Sequence, residues 1–333
     1  MKRSTFILSL VSAAALITGC QQQDDGKTRV AFVTNGVADF WTLAEAGAKK
    51  AGEELQIDAD VLMPAAGITE QKQMLEDLLT RGVDGVAVSP IDPANQVDLL
   101  NIVAENTHLI THDSDAPASQ RLAYIGMDNY LAGRMCGQLV KEALPDGGKV
   151  MIMIGRMEQD NAKRRRQGVI DELLDRPTDS DFFDPPGKVI EGEKYKIVGT
   201  LTDQFDRAKA KANAEDTLSR HPDIGAMVGL FAYNPPAILQ ALEQAGKLGE
   251  VQVVAFDEDE ETLAGIQNGS VHGTVVQNPY EYGYQSIQLL NAIANGDSSG
   301  IPSDEFINIE GRQIRKDNVD SFWADLKKKL GKE

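Results

Sequence analysis

The chain has 333 residues, with 51 acidic and 33 basic side chains and a formal net charge of −18. A surface of this charge repels phosphate backbones and anionic lipid, so nucleic acid is not expected as a partner and no basic patch is expected to bind a membrane. The length exceeds what one hydrophobic core comfortably serves, which makes two domains the expectation.

The N-terminal residues have the composition of a secretory leader. Two basic residues precede an apolar run over 6–17, which is too short to span a membrane stably. The run closes on Leu-Ile-Thr-Gly-Cys, which resembles the lipobox of bacterial lipoproteins. This resemblance implies removal of residues 1–19, lipidation of Cys20 and a periplasmic, membrane-anchored lipoprotein. Loss of the two leader cations would lower the net charge from −18 to −20. Residues 20–27 are interpreted as a polar tether.

From residue 28 onward, short β-branched runs alternate with amphipathic helical stretches. The first set predicts strands over 29–34, 58–63, 83–89, 108–111 and 122–127, and helices over 40–55, 69–80 and 94–106. A second set predicts strands over 150–154, 195–201, 226–230, 251–256 and 273–277, and helices over 130–143, after Asn161, and over 206–220, 235–245, 260–268 and 280–294. Repeated βα units predict an α/β protein with two doubly wound parallel-sheet lobes. The Asp-, Pro- and Gly-rich segment 176–193 is interpreted as an excursion containing a hairpin.

Sequence signatures of catalysis are missing. No glycine-rich dinucleotide or phosphate loop is found, nor a nucleophile elbow, and the four histidines lack metal-ligand spacing. The acidic run 257–261 is interpreted as a solvated helix start, because acidic residues are favoured at the positive end of the helix dipole. We therefore predict no enzyme activity, no cofactor and no metal.

Planar polar and aromatic side chains follow most of the predicted strands. They are Asn35, Phe40, Trp41, Ser89 and Asp113 in the first set, and Arg165, Phe205, Phe231, Tyr233, Asn234, Asp257 and Gln277 in the second. In open parallel sheets, ligands bind beyond the carboxyl ends of the strands. The hydroxyls of a sugar suit bidentate polar groups, and its C–H faces suit aromatic rings. The pattern predicts a site for a monosaccharide or a related polyol.

Several of these side chains fall in motifs that appear in a characteristic order. The motifs are Asp39-Phe-Trp41, Leu109-Ile-Thr-His-Asp113, Asn161-Ala-Lys-Arg-Arg165, Phe205-Asp-Arg207, Val253-Val-Ala-Phe-Asp257 and Thr274-Val-Val-Gln277. In this order they resemble those of periplasmic sugar-binding proteins of the ribose/galactose-binding type, the substrate-binding components of ABC importers. The similarity covers residues 28–308.

The resemblance implies roles for individual residues. Phe40, Trp41 and Phe205 are expected to stack on the sugar ring, and Asp113, Arg165, Asp257 and Gln277 to bind its hydroxyls. Three positions depart from the ribose pattern, namely Ala38, Ser114 and Phe231, and these departures argue against ribose itself. In the last of these loops, Tyr233 and Asn234 are expected to supply polar contacts. Lys163, Arg164 and Arg166, which surround Arg165, are interpreted as a solvated helix face.

The resemblance also implies three crossovers between lobes, near residues 127/128, 277/278 and 308. The first lobe would comprise 28–127 plus 278–308, and the second 128–277 plus 309–333. Such lobes close on a ligand by a hinge motion, with Tyr124, Asp128 and Asn129 as hinge structure. The expected protein is a monomer that delivers a sugar to an ABC permease.

Three other functions share this fold or compartment. A sugar-sensing subunit that signals through a membrane kinase or chemoreceptor would use the same closed surface, so the sequence leaves it open. A sugar-responsive repressor is disfavoured by the leader, the acidic charge and the lack of an N-terminal helix-turn-helix. An exported enzyme on this scaffold would have to turn over the bound sugar.

Overall fold

The computed structural model describes residues 26–330 and contains two parallel β-sheets covered by helices. The first run of elements is β1 (Arg29–Val33), α1 (Asp39–Leu55), β2 (Asp58–Leu62), α2 (Ile68–Arg81), β3 (Gly85–Val88), α3 (Pro93–Asn106), β4 (His108–His112) and β5 (Tyr124–Gly126). The second run is α4 (Asn129–Ala143), β6 (Gly148–Ile154), α5 (Asp160–Leu173), β7 (Ile190–Glu191), β8 (Tyr195–Thr202), α6 (Arg207–Arg220), β9 (Ile224–Gly229), α7 (Asn234–Gln244), β10 (Gln252–Phe256), α8 (Glu260–Asn268) and β11 (Gly273–Val276). The remaining elements are α9 (Pro279–Ala294), β12 (Phe306–Asn308), β13 (Arg312–Ile314) and α10 (Val319–Lys329).

The two sheets have the doubly wound topology that the βα repeats predict. The first sheet has the strand order β12-β5-β4-β3-β1-β2, and every pair in it is parallel. The second has the order β13-β11-β10-β9-β6-β8-β7, in which only the pairs made by the edge strands β13 and β7 are antiparallel. The predicted fold class is confirmed.

Both faces of each sheet are buried, as the uninterrupted apolar strands require. In β1, Val30 and Phe32 belong to one core cluster, and Ala31 and Val33 belong to the cluster on the opposite face. In β6, Ile152 and Ile154 pack on one side and Met151 and Met153 on the other. This alternation places the functional side chains where burial ends, at the strand termini.

The chain passes between the sheets three times. It leaves the first sheet after β5, returns after β11 through α9 to β12, and leaves again to β13. We call the elements around the first sheet the first lobe and those around the second sheet the second lobe. The residue boundaries of two separate domains stay a prediction.

Glycines bring the helix pairs of each lobe into backbone contact. In the first lobe, a Cβ on Gly47 of α1 would lie 1.9 Å from the carbonyl oxygen of Tyr280. In the second lobe, a Cβ on Gly133 of α4 would lie 2.1 Å from the carbonyl oxygen of Arg165 in α5. No side chain fits at either position, so α4 fixes the place of α5 and of Arg165 with it.

The excursion between α5 and β7 folds back over α5. Arg166 is only 1% exposed and donates to the Thr200 hydroxyl at 2.8 Å and to the Asp184 carbonyl at 2.7 Å. The prediction of a solvated face is therefore wrong for Arg166, because helix periodicity does not reveal a loop that covers the face. Arg164 is half-buried and pairs with Asp160 at 2.7 Å. The excursion ends in β7, which pairs antiparallel with β8, so the hairpin is shared with the following strand and does not lie within the predicted segment 176–193.

The predicted leader and the lipidation site Cys20 lie outside the described residues. Within residues 26–330, no helix combines the length and the apolar character needed to cross a membrane.

Candidate ligand-binding cleft

A cleft of about 650 Å³ lies beyond the carboxyl ends of the strands of both sheets. Seven of the eight predicted ligand residues line it: Phe40, Trp41, Asp113, Arg165, Phe205, Asp257 and Gln277. The first three come from the first lobe and the others from the second. The two sheets thus place side chains that are far apart in sequence around one cavity.

Asp113 directly follows β4 and is held by three donors. Its Oδ2 accepts hydrogen bonds from Ser89 Oγ at 3.2 Å, Asn35 Nδ2 at 3.4 Å and Asn161 Nδ2 at 3.2 Å. Asn161 belongs to the second lobe, so this last bond crosses the cleft. Burial raises the pKa of Asp113 to about 6, although the neighbouring charge of Arg165 opposes the rise.

Arg165 is fully buried and fixed on three sides. Its Nε donates to Asn129 Oδ1 at 2.8 Å and its Nη1 to the carbonyl of Leu230 at 3.3 Å, while the guanidinium lies 4.1 Å above the centroid of the Phe256 ring. Its Nη2 lies 3.7 Å from Asp113 Oδ1 and makes no hydrogen bond within residues 26–330. One donor edge of the guanidinium therefore stays unpaired beside the cleft.

Asp257 and Gln277 follow adjacent strands, β10 and β11, and bind each other. Gln277 Nε2 donates to Asp257 Oδ1 at 2.8 Å, and Gln277 Oε1 accepts from the Tyr282 hydroxyl at 3.0 Å. Burial raises the pKa of Asp257, and the charge of Arg165 again opposes the rise. Arg165 thus acts electrostatically on two buried carboxyl groups at once.

Aromatic rings line both sides of the cleft. Phe40 and Trp41 meet edge to face with centroids 4.8 Å apart, and Trp41 is only 4% exposed. Opposite them, Phe205 packs near Phe231 and Tyr233, at centroid distances of 5.6 and 6.1 Å. Such faces suit the C–H surface of a sugar ring.

The three aromatic rings of the second lobe meet at Gly155, the residue that follows β6. A Cβ there would lie 2.9 Å from Tyr233 Oη, 3.0 Å from Phe205 Cε1 and 3.1 Å from Phe231 Cε2. The absence of a side chain at Gly155 therefore lets this aromatic wall approach the strand end.

Three of the ligand candidates have a left-handed backbone. The φ angles are 57° at Asp113, 66° at Phe205 and 67° at Asp257. Non-glycine residues in this region cost about 1–3 kcal/mol each and concentrate at functional sites. Their occurrence at three strand ends around one cleft is an independent sign of a binding site.

Asn234 does not line the cleft. It is fully buried, donates from Nδ2 to Asp203 Oδ2 at 2.8 Å, and accepts from the backbone N–H of Phe231 at 3.1 Å. Asp203 also accepts hydrogen bonds from the Tyr233 hydroxyl and from the N–H of Phe205. The structure therefore places Asn234 behind the aromatic wall, where it fixes two loops.

The residue-by-residue prediction missed four polar side chains that line the cleft, Arg156, Asn161, Gln204 and Arg207, and it missed the contact of Asn129 with Arg165. Asn161 precedes Arg165 by four positions, so it lies on the same helix face, and that spacing could have revealed it. Asn129, predicted as hinge structure, also holds Arg165. Arg156 lines the cleft beside Phe205, and only its place after a strand end hinted at this.

Two parallel-sheet lobes with a polar and aromatic cleft at their strand ends define the class of two-lobed binding proteins. The chain matches the periplasmic binding protein domain family over residues 30–298, and it belongs to that family. Members of this family bind solutes without catalysing a reaction, so the prediction that the chain is not an enzyme is confirmed by its family.

Individual relatives agree in fold and extent. The chain is 24% identical to the ribose import binding protein RbsB of Escherichia coli strain K12, over 87% of this chain and 93% of the relative. Among solved structures, GanP, a glucose-galactose binding protein from Geobacillus stearothermophilus, is 28% identical with a TM-score of 0.79, over 88% of this chain and 98% of GanP. A solute-binding protein of Burkholderia graminis C4D1M in complex with D-arabinose has the same identity and TM-score, over 89% of this chain and 98% of its own. The resemblance to sugar-binding proteins of importers is confirmed.

Proposed function

We propose that this protein captures a monosaccharide or a related polyol in the cleft and delivers it to an ABC permease, with lipid at Cys20 as its membrane anchor. The observation that carries this proposal is the arrangement around Arg165, whose charge acts on both Asp113 and Asp257 and whose Nη2 has no hydrogen bond among the described residues. Two acceptors and one donor in this arrangement suit vicinal hydroxyls.

The remaining cleft residues complete the proposed site. Phe40 and Trp41 would cover one face of the ring and Phe205 the other, and Gln277 would bind a further hydroxyl. The names of the similar proteins, which bind ribose, allose, glucose, galactose or arabinose, support a monosaccharide. The substitutions at Ala38, Ser114 and Phe231 support a sugar other than ribose.

Contacts between the lobes support capture by closure. The Asn161–Asp113 hydrogen bond joins the lobes inside the cleft. Outside it, Leu43 of α1 belongs to the core cluster that contains Phe322 and Leu326 of α10. A hinge motion that separates the lobes would break both contacts, and a ligand bound by both walls would hold them together.

A panel of pentoses, hexoses, deoxysugars and inositols tests the proposal through intrinsic fluorescence and melting temperature. The chain has two tryptophans, of which Trp41 lines the cleft and Trp323 lies in α10. We expect a binding signal that Trp41→Phe removes and Trp323→Phe retains. The proposal would be contradicted if no sugar of the panel gave a heat of binding in calorimetry or raised the melting temperature.

The anchor and the membrane partner have separate tests. Mass spectrometry of the mature N-terminal peptide is expected to find acylated Cys20, and Cys20→Ser is expected to release the protein from the membrane fraction. Sugar-dependent stimulation of the permease ATPase in proteoliposomes would support delivery. Sugar-dependent activation of a membrane kinase without such stimulation would support the sensing function instead.

A further inference from the structure

Arg156 is a cation of the cleft that the proposed contacts to sugar hydroxyls do not use. It follows Gly155 at the end of β6 and lines the cleft. Its guanidinium carbon lies 4.9 Å from the centroid of the Phe205 ring. Its Nε is buried and has no hydrogen-bond partner within residues 26–330. A guanidinium that stacks on a ring in this way keeps its N–H edges available for a planar anion.

The charges that line the cleft divide into an inner and an outer group. The inner group is Asp113, Arg165 and Asp257, in which one cation lies between two carboxyl groups. The outer group is Arg156 and Arg207. Neither side chain makes an ion pair within 4.0 Å in the described part of the chain, although burial raises the pKa of Asp259 and the charge of Arg207 opposes that rise. The outer edge of the cleft is therefore cationic in a protein whose formal net charge is −18.

The carboxyl groups near Arg156 and Arg207 have other partners or lie beyond ion-pair distance. Asp160 pairs with Arg164 at 2.7 Å, and Asp259, on which the charge of Arg207 acts, accepts the N–H of Glu261. Asp203 accepts hydrogen bonds from Tyr233, Asn234 and the N–H of Phe205. Asp206 caps α6 by accepting from the N–H groups of residues 208 and 209. A neutral sugar would leave the buried Nε of the half-buried Arg156 without a hydrogen bond, and an unpaired buried polar group is unfavourable.

We propose that the cleft takes a sugar bearing an anionic group, a carboxylate or a phosphate, which Arg156 binds above Phe205. The inner group of charges would bind the ring hydroxyls, and Arg156 would select the anion by a bidentate hydrogen bond. This inference rests on the proposed sugar-binding function. It makes Arg156 a specificity-determining residue.

Calorimetry on matched ligand pairs tests the inference with the full mature protein. The pairs are galactose with galacturonate, glucose with glucuronate, and glucose with glucose 6-phosphate. We expect at least one anionic member to bind 10-fold or more tightly than its neutral parent at low salt, with the preference shrinking as salt rises. The uronates and the phosphate distinguish the two sources of negative charge.

Variants assign the preference to a residue. Arg156→Gln is expected to remove the anion preference, measured as the ratio of the two affinities within each ligand pair, and Arg156→Lys is expected to restore part of that ratio. Arg220→Gln, which removes the same charge from an exposed helix end, is expected to leave the preference unchanged.

Each contrary result has a distinct meaning. Neutral sugars that bind at least as tightly as every anionic partner would overturn the anionic ligand and leave the sugar-binding function standing. An anion preference that survives Arg156→Gln would overturn the assignment to Arg156. Absence of binding by all members of both classes would overturn this inference together with the proposed function.

Discussion

The two walls of the cleft are built on opposite principles. In the first lobe, the carboxylate of Asp113 is surrounded by donors, and buried Gln71 beneath it bonds the backbone at Thr34 and Ser89. In the second lobe, Arg156 and Arg165 each carry a buried N–H group without a partner in the described residues. The first wall presents a carboxylate whose position is fixed by hydrogen bonds. The second wall presents N–H donors that have no hydrogen-bond partner in the described residues.

This difference indicates where binding free energy can arise. A group that already has its hydrogen bonds gains little from a ligand, whereas an unpaired donor gains a charge-assisted bond. Loss of Arg165 in the second wall should therefore weaken binding most, and Asp113 in the first wall should in addition make the affinity depend on pH.

The largest expected effect is that of Arg165→Ala. It removes the unpaired donor and leaves Asp113 and Asp257 without their shared cation. Since a hydrogen bond to a charged group contributes about 1.5–3 kcal/mol, we expect loss of this bond alone to lower sugar affinity by roughly 10- to 150-fold, and loss of the shared cation to add to it. Calorimetry measures the loss, and circular dichroism checks that the fold persists.

Arg164→Ala is the matched control, because Arg164 lies next in sequence but pairs with Asp160 away from the lining of the cleft. We expect the sugar affinity of Arg164→Ala to stay within about threefold of wild type, since an exposed or half-exposed ion pair contributes only about 0–1 kcal/mol to stability. Equal losses in the two variants would show that Arg165 has no special role.

Asp113 should make binding depend on pH. Burial raises its pKa to about 6, so the acceptor form that a sugar hydroxyl needs is lost as pH falls below that value. We expect affinity to weaken by up to about tenfold per pH unit below pH 6. Asp113→Asn should bind about 10- to 100-fold more weakly at pH 7 and without this dependence. A variant that keeps the pH dependence would assign it to another group.

A smaller loss is expected from Gly155→Ala. The new methyl group would approach Phe205, Phe231 and Tyr233 and displace the aromatic wall. Overpacking of this kind costs about 1–3 kcal/mol, so we expect a lower melting temperature and about 3- to 10-fold weaker binding. Gly187→Ala, where an added Cβ would contact nothing within 4 Å, should change neither. Unchanged binding in Gly155→Ala would show that the wall does not contact the ligand.

The sequence predicts strand ends well and side-chain surroundings poorly. Asp113, Asp257 and Gln277 could be placed because each directly follows an apolar run, and burial on both sheet faces leaves only the strand end for a polar group. Asn234 and Arg166 could not, because their positions depend on loops that fold back over them. Asn234 is covered by Asp203, and Arg166 by residues 184 and 185 of the excursion. Neither contact has a periodic signature.

The smallest expected effect is on the pH dependence of stability in wild type, where the contributions of the neighbouring residues His112 and Asp113 have opposite signs. His112 stacks on Phe32 at 3.8 Å, its Nε2 lies 3.1 Å from the Val33 carbonyl, and burial lowers its pKa from 6.5 to about 3. Its folded state binds fewer protons than the unfolded chain, so its contribution to stability is present above pH 6.5 and is lost as pH falls. Asp113 acts in the opposite direction, because its raised pKa makes the folded state bind more protons and its contribution is lost as pH rises from 3.8 to about 6.

Between pH 4 and 6 the two contributions should nearly cancel, each amounting to about 2 kcal/mol of opposite sign. Urea unfolding at several pH values measures this through differences from wild type. In Asp113→Asn, only the contribution of His112 remains, so the free energy of unfolding of this variant should fall, relative to wild type, as pH falls from 6 to 4. His112→Phe retains a ring packed against Phe32, and the Val33 carbonyl still accepts the hydrogen bond from the N–H of Ser89. In this variant only the contribution of Asp113 remains, so its free energy of unfolding should rise, relative to wild type, as pH falls from 6 to 4. Parallel pH profiles in both variants would contradict the cancellation, because only opposed protonation of the two side chains makes the profiles diverge.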